Sequence, residues 1–175
     1  MREQEIITLE IGGLRRTLDT SRGDEPGVVS LSLCGDVSLT NVSAGALATQ
    51  LARREWDLLA GPAPRCLPLL HVLSTFLGRE RYVPLHRSTH HDMTDPIMRV
   101  DTKGSPWILD GGDLEAVRDK RVILVTDVVH HGGELAGAAE LLEKAGGRVV
   151  GQAAVLVSPR AAERGDYILC DHLPH

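Results

Sequence analysis

The chain has 175 residues, 42% of them hydrophobic and 25% charged, and a formal net charge of −5, which fits one globular domain with a sizeable core. The negative charge excludes a general electrostatic attraction to nucleic acid or to anionic lipid, so we expect neither as a partner. The polar N-terminus, the lack of an apolar run of about 18 residues and three widely spaced cysteines predict a cytoplasmic protein without signal peptide, membrane span or disulfide framework.

The N-terminal third predicts an antiparallel hairpin followed by a helix. From Ile6 to Asp19, apolar and polar residues alternate on both sides of Gly12-Gly13, which is the pattern of two strands joined by a glycine turn. A further strand is predicted at Val28 to Leu33. Ser43 is predicted to cap a helix that ends near Glu55 and carries its leucines and alanines on one face.

From Asp57 onward, short apolar runs alternate with helical segments, which predicts a parallel sheet covered on both faces. A first βαβ unit has a buried strand at Asp57 to Ala60, a helix that ends at Gly78 and a second strand at Tyr82 to Leu85.

The next segment, His86 to Gly112, lacks a sustained periodicity and exceeds the usual length of a connection, so it is either a working loop or disorder. We expect residues 88–106 to form a flexible loop and Pro106 to Leu109 to form a short strand. The run His90-His91-Asp92, with Asp95, is either a cation or acid–base cluster or a set of solvated loop residues.

The segment from Arg121 to Val157 predicts a second βαβ unit. An apolar strand, Val122 to Val125, leads through Thr126-Asp127 to the turn His130-His131-Gly132-Gly133-Glu134, which opens a helix before another apolar strand. Such a turn presents backbone N–H groups to an anion at a helix N-terminus, so the segment indicates phosphate chemistry. The helix is predicted to stop at Gly146-Gly147, and its inward-facing residues are Leu135, Ala138, Leu142 and Ala145.

These motifs resemble a type I phosphoribosyltransferase and, within that family, its adenine phosphoribosyltransferase branch, over roughly residues 55–175. The resemblance implies an α/β fold with a three-layer parallel sheet, an N-terminal antiparallel hairpin and a small hood. We expect a single domain that spans the chain, with a core at residues 41–159 and a hood formed by residues 1–40 and 160–175. The tail, Asp166 to His175, is predicted to contain a short strand.

The resemblance also implies an activity and its partners. Members of the family bind 5-phosphoribosyl diphosphate (PRPP) with Mg²⁺ and exchange its diphosphate for a nitrogenous base. The implied role is that of a glycosyltransferase that transfers a purine or related base in nucleotide salvage. The implied partners are a small nucleotide or ribose phosphate ligand, Mg²⁺ when the enzyme is active, and a second copy of the chain in a homodimer.

The family signature places two adjacent acidic residues after the strand and a Thr-Gly-Gly-Thr turn before the helix. Asp127 matches the second acid, which in the family approaches the ribose hydroxyls and acts on the metal only indirectly. Thr126 replaces the first acid. The loss of one carboxylate weakens the hold on the hydroxyls, although the family's metal is held largely by the substrate itself.

The turn departs from the family in its polar side chains. Gly132 and Gly133 keep the backbone free to wrap an oxygen-rich group, but His131 and Glu134 replace the hydroxyls that hold the 5′-phosphate. A carboxylate about 4 Å from a phosphate charge costs about 1 kcal/mol in water and about 4 near a protein surface, which a protonated His131 would partly offset. Alternatively, Glu134 satisfies the helix start in place of the ligand, or His130 and His131 bind a metal.

A short turn before the predicted helix of the first unit resembles the family's diphosphate loop. In this turn, Gly61 to Cys66, Arg65 matches the family's Arg, whereas Ala63 replaces an acid and Pro64 removes an N–H donor. Because the family often has a cis peptide in this loop, we expect one at Ala63-Pro64. The alternative is a proline-stiffened turn with a solvent-facing Arg.

Two more residues match family positions near the predicted loop. Arg87 matches a basic residue that contacts the diphosphate after a strand, and a bidentate guanidinium suits that contact. Trp107 stands where the family has an aromatic after its mobile lid. It either contacts a ligand or stacks on a core helix.

The resemblance leaves three functions open. In a transferase, Arg65 and Arg87 would hold the diphosphate with Mg²⁺ while Asp127 steadies the positive charge that develops on the sugar. A second possibility is a non-catalytic nucleotide-binding or regulatory protein on the same fold. A third is an altered enzyme whose ribosyl ligand lacks the 5′-phosphate, so that Glu134 accepts hydrogen bonds from a free hydroxyl.

Overall fold

The computed structural model describes residues 6–19, 31–102, 105–133 and 135–172. Its strands are β1 (Ile6–Ile11), β2 (Leu14–Asp19), β3 (Leu58–Pro62), β4 (Val83–Leu85), β5 (Met98–Val100), β6 (Trp107–Leu109), β7 (Arg121–Val129), β8 (Arg148–Val157) and β9 (Tyr167–His172). Its helices are α1 (Val37–Leu51), α2 (Leu67–Phe76), α3 (Gly111–Val117), α4 (Ala136–Lys144) and α5 (Pro159–Ala162). Within these ranges, we find no helix with the length and apolar character that a membrane crossing needs.

A parallel sheet with the strand order β4-β3-β7-β8-β9 forms the centre of the fold. Both predicted βαβ units are confirmed, because β3 and β4 pair in parallel around α2, and β7 and β8 pair in parallel around α4. Every residue of β7 after Arg121 is buried. Such a run is expected of a strand that is covered on both faces.

Side chains of the central strands alternate between two apolar cores. Ile123 and Val125 pack with the β1–β2 hairpin, α1 and α2 on one face of the sheet. Val122 and Leu124 pack with α3 and α4 on the other face. The fold is therefore the predicted three-layer α/β architecture with an N-terminal hairpin, while the division into core and hood stays a prediction.

The N-terminal predictions are right for the hairpin and wrong for the helix start. β1 and β2 pair antiparallel, and Gly12 and Gly13 have φ values of 57° and 80°, as a tight primed turn requires. Helix α1 begins at Val37, because the Asp36 carboxylate accepts a hydrogen bond of 3.0 Å from the N–H of Leu39. Ser43, the predicted cap, is instead buried inside the helix.

Other differences concern the ends of predicted elements. The helix ends at Leu51, before the predicted Glu55. Of the strand predicted at Val28 to Leu33, residues 28–30 lie outside the described ranges, and residues 31–33 form no strand.

The segment after β4 contains more regular structure than its sequence pattern indicates. Met98–Val100 forms β5, which pairs antiparallel with β6, and β6 confirms the strand predicted at Pro106 to Leu109. The backbone of His86 pairs with Ile108, which ties the end of β4 to the same small sheet. The flexibility of residues 88–106 stays a prediction.

The predicted inward face of α4 is confirmed. Leu135, at the N-cap, and Ala138, Leu142 and Ala145 are all buried. Gly146 has a φ of 87° directly after the helix, which matches the predicted stop. The strand predicted in the tail is β9, which joins the sheet parallel to β8.

Candidate functional site

Two residues predicted to be catalytic meet at the carboxyl edge of the sheet. Arg65 follows β3 and Asp127 lies in β7, and the Nε and Nη2 atoms of Arg65 donate to Oδ2 of Asp127 over 3.0 and 2.5 Å. The two strands approach closely here, since a Cβ atom at Gly61 would collide with the carbonyl oxygen of Val125. The backbone therefore brings together two side chains that are 62 positions apart in the sequence.

The two partners differ in their exposure to solvent. The side chain of Asp127 is 9% exposed and that of Arg65 is 59% exposed. Partial burial lowers the pKa of Arg65. The charge of Asp127 and its hydrogen bonds raise this pKa by more than burial lowers it, so the net shift is upward. The pair thus holds a buried carboxylate beneath a guanidinium that solutes in the solvent can reach.

Hydrogen bonds reach both carboxylate oxygens of Asp127. Besides the bonds from Arg65 to Oδ2, Oδ1 accepts from the backbone N–H of Val128 over 2.9 Å and from the hydroxyl of Thr126 over 3.2 Å. The buried Cys66 thiol lies 3.9 Å from the same hydroxyl. Burial, and then the charge of Asp127, raises the pKa of Cys66 to about 12, so this thiol stays protonated and unreactive.

A cleft of about 200 Å³ opens beside this pair. Besides Arg65 and Asp127, it is lined by Leu31, Ser32, Leu33 and Cys34. The carbonyl of Leu31 accepts from Nη2 of Arg65 over 3.3 Å, and the Cys34 thiol lies 3.8 Å from the carbonyl of Arg65. The sequence offers Val28, Val29 and Leu33 for an apolar slot over the base. Of these, Leu33 lines the cleft, while residues 28–29 lie outside the described ranges.

The loop that carries Arg65 has the predicted backbone isomer. The Ala63-Pro64 peptide is cis. The N–H of Ala63 donates to the carbonyl of Leu85 over 2.8 Å, which ties the loop to the end of β4. The alternative of a purely solvent-facing Arg65 does not describe the structure, since its guanidinium pairs with Asp127.

The predicted phosphate turn lies after β7, at the same edge of the sheet. Its described residues, 130–133, are called the 130–133 turn below. Gly132 has a φ of 80°, in the left-handed region that favours glycine. Glu134, the residue that separates a blocked phosphate site from an open one, lies outside the described residues, so the prediction of a ligand without a 5′-phosphate stays untested.

Contacts from the segment between β8 and β9 hold the carbonyl groups of this turn. Ser158 donates to the carbonyl of His130 over 2.5 Å, Arg164 to that of His131 over 3.3 Å and Tyr167 to that of Gly132 over 3.4 Å. Sequence reasoning missed all three donors. They come from the α5 and β9 region, where the sequence indicates a strand but no contact with the turn.

The structure places Arg87 and Trp107 in contact with each other. The guanidinium carbon of Arg87 lies 3.3 Å from the centre of the Trp107 ring, and Nη1 donates to the carbonyl of Ser105 over 3.2 Å. Trp107 is 1% exposed, and a Cβ at Gly137 of α4 would press against its ring. This arrangement agrees with stacking on a core helix, and burial lowers the pKa of Arg87.

In the histidine-rich segment, the rings of His86 and His90 contact each other. Nε2 of His90 lies 2.8 Å from Nδ1 of His86. Burial, and then His90, lowers the pKa of His86. Within the described ranges, we find no group of three or more His, Cys, Asp or Glu side chains that could hold a metal ion.

The described residues do not form a Mg²⁺ site on their own. Mg²⁺ takes a near-octahedral set of oxygen ligands, whereas Asp127 supplies one carboxylate whose two oxygens already accept hydrogen bonds. A magnesium ion would therefore need most of its ligands from a diphosphate substrate. An indirect role of Asp127 toward the metal stays a prediction.

Solved structures and one curated sequence are similar to this chain. Adenine phosphoribosyltransferase from Thermoanaerobacter pseudethanolicus superposes with a TM-score of 0.69 at 20% identity, covering 96% of this chain and 95% of that one. The enzyme from Trypanosoma brucei, solved with AMP, pyrophosphate and ribose-5-phosphate, superposes with a TM-score of 0.65 at 16% identity over 87% of this chain and 73% of that one. At these identities, the likeness shows the fold.

The sequence relative is an orotate phosphoribosyltransferase from Sulfurisphaera tokodaii, 26% identical over 116 residues, or 65% of this chain. The aligned part spans about half, 51%, of that relative's length. A family model for the phosphoribosyl transferase domain matches residues 40–173. This match includes Arg65, Asp127 and the 130–133 turn, and the chain therefore belongs to the phosphoribosyl transferase domain family.

Proposed function

We propose that the chain binds PRPP at the carboxyl edge of its sheet and transfers the phosphoribosyl group to a purine or related base in nucleotide salvage. In this reaction a ring nitrogen of the base forms a bond to the anomeric carbon as the bond to the diphosphate oxygen breaks. The diphosphate leaves with the bonding electrons, and the base loses a proton. The observation that carries the proposal is the contact of Arg65 with Asp127 at the edge of the cleft.

Arg65 and Asp127 offer complementary charges to the two ends of the breaking bond. A guanidinium binds phosphate oxygens through a fork of N–H donors, and 59% of the Arg65 side chain is exposed to receive them. Asp127 is negative and buried beneath it, where it can stabilise positive charge on the sugar. The proposal also includes Mg²⁺ carried in by the diphosphate, a homodimer and a cytoplasmic location.

The ligands in the neighbouring structures support the class of substrate. The enzyme from Trypanosoma brucei was solved with AMP, pyrophosphate and ribose-5-phosphate, and the orotate phosphoribosyltransferase is a relative in sequence. Adenine and orotate are therefore the first bases to test.

The test is a transfer assay with PRPP, Mg²⁺ and one base at a time from adenine, hypoxanthine, guanine and orotate, with the nucleotide product separated by chromatography. We expect one base to yield a nucleotide, and we expect Asp127→Asn and Arg65→Met to lose at least about 100-fold in kcat/KM, as for removal of one charged contact in a transition state. Arg121→Met, at the opposite edge of the sheet, is the control and should keep the wild-type rate. No nucleotide from any base would refute the transferase.

A non-catalytic binding protein is a second candidate, and a specific observation favours it. Both oxygens of Asp127 accept hydrogen bonds, and the hydroxyl of Thr126 stands where the family has its first acid. A carboxylate that Arg65, Val128 and Thr126 already satisfy can serve as a structural support of the cleft. Such a protein would bind a nucleotide or ribose phosphate without turnover.

Calorimetric titration separates the two candidates. PRPP, AMP and ribose 5-phosphate are titrated with and without Mg²⁺, beside the transfer assay on the same preparation. Binding with turnover supports the transferase, and binding without turnover supports the regulatory or binding role. Heat from none of the three ligands at millimolar concentration would contradict both candidates.

A further inference from the structure

We propose that Ser158, Arg164 and Tyr167 act as positioning residues that orient the backbone N–H groups of the 130–133 turn toward the ligand. These three residues are called the carbonyl clasp. The inference rests on the proposed function, because it takes the ligand of this turn to be the phosphate of a phosphoribosyl group. It assigns a role in binding to three side chains that need not touch the ligand.

The clasp holds three carbonyl groups in succession. The hydroxyl of Ser158, the Nη1 atom of Arg164 and the hydroxyl of Tyr167 donate, in that order, to the carbonyls of His130, His131 and Gly132. All three donors lie between the end of β8 and the start of β9. The carbonyls are therefore drawn toward a single side of the turn.

Peptide geometry converts this arrangement into an orientation of the N–H groups. In a planar trans peptide, the C=O of one residue and the N–H of the next point in opposite directions. With the carbonyls of residues 130–132 held by the clasp, the N–H groups of His131, Gly132 and Gly133 point away from it. Gly132 has a φ of 80°, and successive N–H groups around a left-handed residue form a concave nest that binds anions.

The clasp also packs closely against the turn. A Cβ atom at Gly132 would lie 3.2 Å from the Tyr167 hydroxyl and 3.6 Å from Cβ of Arg164. Ser158 has a second bond, since its hydroxyl accepts from the N–H of Ala161 over 3.1 Å and so caps α5. The turn is thus fixed to the neighbouring strand and helix rather than by its own residues alone.

The positions of the clasp and of the cleft agree with this role. Asp127 lies in β7, which leads directly into the turn, and it lines the cleft beside Arg65. The clasp contacts the turn from residues 158–167, between the end of β8 and the start of β9, whereas Arg65 approaches Asp127 from the loop after β3. A phosphoribosyl ligand that lies between Asp127 and the turn would meet the oriented N–H groups.

The test compares matched variants by NMR titration of the ¹⁵N-labelled full chain with ribose 5-phosphate, with inorganic phosphate as a second probe. Tyr167→Phe removes only the hydroxyl, and Arg164→Met removes the donor, whereas Arg164→Lys keeps a donor and the charge. The controls are Tyr82→Phe, at a half-buried tyrosine of another strand region, and Arg160→Met, at an exposed arginine of α5.

We expect ribose 5-phosphate to shift the amide signals of His131, Gly132 and Gly133. Tyr167→Phe and Arg164→Met should each weaken binding by about 3- to 10-fold, the size of one hydrogen bond. Arg164→Lys should restore most of the affinity, and both controls should stay within about 2-fold of wild type. A merely structural role would not produce the rescue by lysine together with an unchanged Arg160→Met.

Two results would overturn the inference. One is that wild type binds ribose 5-phosphate without shifts at the three amides. The other is that the clasp variants bind as tightly as the controls.

If wild type binds no phosphoribosyl ligand, the proposed function fails. Amide hydrogen exchange of the same variants then tests separately whether the carbonyl clasp holds the turn. Faster exchange at residues 131–133 in Tyr167→Phe and Arg164→Met, but not in the controls, would support the role of the carbonyl clasp. Equal exchange in all of them refutes it.

Discussion

The two edges of the central sheet carry the same kinds of residue in different arrangements. At the amino edge, Arg121 pairs with Asp57, and the guanidinium of Arg79 lies 4.3 Å from the Trp56 ring. At the carboxyl edge, Arg65 pairs with Asp127, and Arg87 stacks on Trp107. Each edge thus combines an arginine–aspartate pair with an arginine–tryptophan stack.

The difference lies in how the guanidinium is used. Arg121 binds both oxygens of Asp57, through Nε and Nη2 at 3.1 Å each, and its side chain is 32% exposed beside an aspartate that is 35% exposed. Arg65 binds only one oxygen of Asp127, and here the acid is buried while the cation is exposed. Arg121 directs its donors to Asp57 and, over 2.7 Å, to Glu55, whereas the Arg65–Asp127 pair leaves positive charge exposed to solvent. An arginine–aspartate pair is therefore evidence for a site only when its burial and geometry are known.

The largest expected effect comes from replacing a glycine where two strands approach closely at the carboxyl edge. In Gly61→Ala the new Cβ meets the backbone carbonyl of Val125, so β3 must move away from β7. We expect a loss of about 3 kcal/mol in the free energy of unfolding, measured by chemical denaturation. Gly151→Ala, in the amino half of β8, is the control: its Cβ meets the ends of two side chains, Cδ1 of Ile123 at 2.9 Å and Cδ1 of Ile168 at 4.0 Å. Its expected loss is below about 1 kcal/mol, and equal losses would show that the tight approach is not special to the carboxyl edge.

The second effect tests the two ion pairs. Arg65→Met leaves the buried Asp127 carboxylate without its cation, and we expect the free energy of unfolding to fall by about 1–3 kcal/mol. Arg121→Met removes the bonds to Asp57, which is 35% exposed, and to Glu55, which is 89% exposed, and we expect a loss of at most about 1 kcal/mol. The measurement is urea denaturation at neutral pH.

A double variant tests why Arg65→Met loses stability. Asp127→Asn in the Arg65→Met background should restore much of the lost stability, because a neutral amide costs less to bury than an unpaired carboxylate. A double variant less stable than Arg65→Met would contradict this account.

The third effect compares the two stacks by tryptophan fluorescence. In Arg87→Met, studied in a Trp56→Phe background, we expect the Trp107 emission to shift to longer wavelength and the stability to fall by about 1 kcal/mol, since the guanidinium covers the ring at 3.3 Å. Arg79→Met in a Trp107→Phe background should show the smaller loss, because its guanidinium lies 4.3 Å from the Trp56 ring. An unchanged Trp107 spectrum would mean that Arg87 does not cover the ring in solution.

Sequence reasoning found the elements that have strong periodic or apolar signals. The strands β3, β4, β7 and β8 read as apolar runs because helices cover the sheet on both faces. β5 was missed, since it has three residues of mixed burial and depends on β6 for its pairing. The start of α1 was missed because Asp36 and Ser43 are both typical capping residues, and the contact that favours Asp36, with Arg16 of β2 over 2.6 Å, is not local in sequence.

The sequence likewise predicts only part of the candidate site. Arg65 and Asp127 are each predictable from the resemblance to the family, and so is the 130–133 turn. Their direct contact is not, because it depends on the register of β3 beside β7. The carbonyl clasp was missed entirely, since its residues act on backbone carbonyls more than 25 positions away in the sequence and such contacts leave no residue-type signature.

The smallest expected effect is the pH dependence of the amino-edge pair. The side chain of Arg121, and then its backbone N–H, hold the pKa of Asp57 at about 2, below the ordinary value of 3.8. Because the folded state lowers this pKa, the pair stabilises the fold fully above about pH 4, and this contribution is lost as the pH falls toward 2. The difference in Tm between wild type and Asp57→Asn should therefore stay constant from pH 7 to about pH 4 and shrink below it. Circular dichroism melts at half-unit pH steps measure this difference, and a Tm difference that persists undiminished at pH 2 would show that Asp57 stabilises the amino edge by packing rather than by charge.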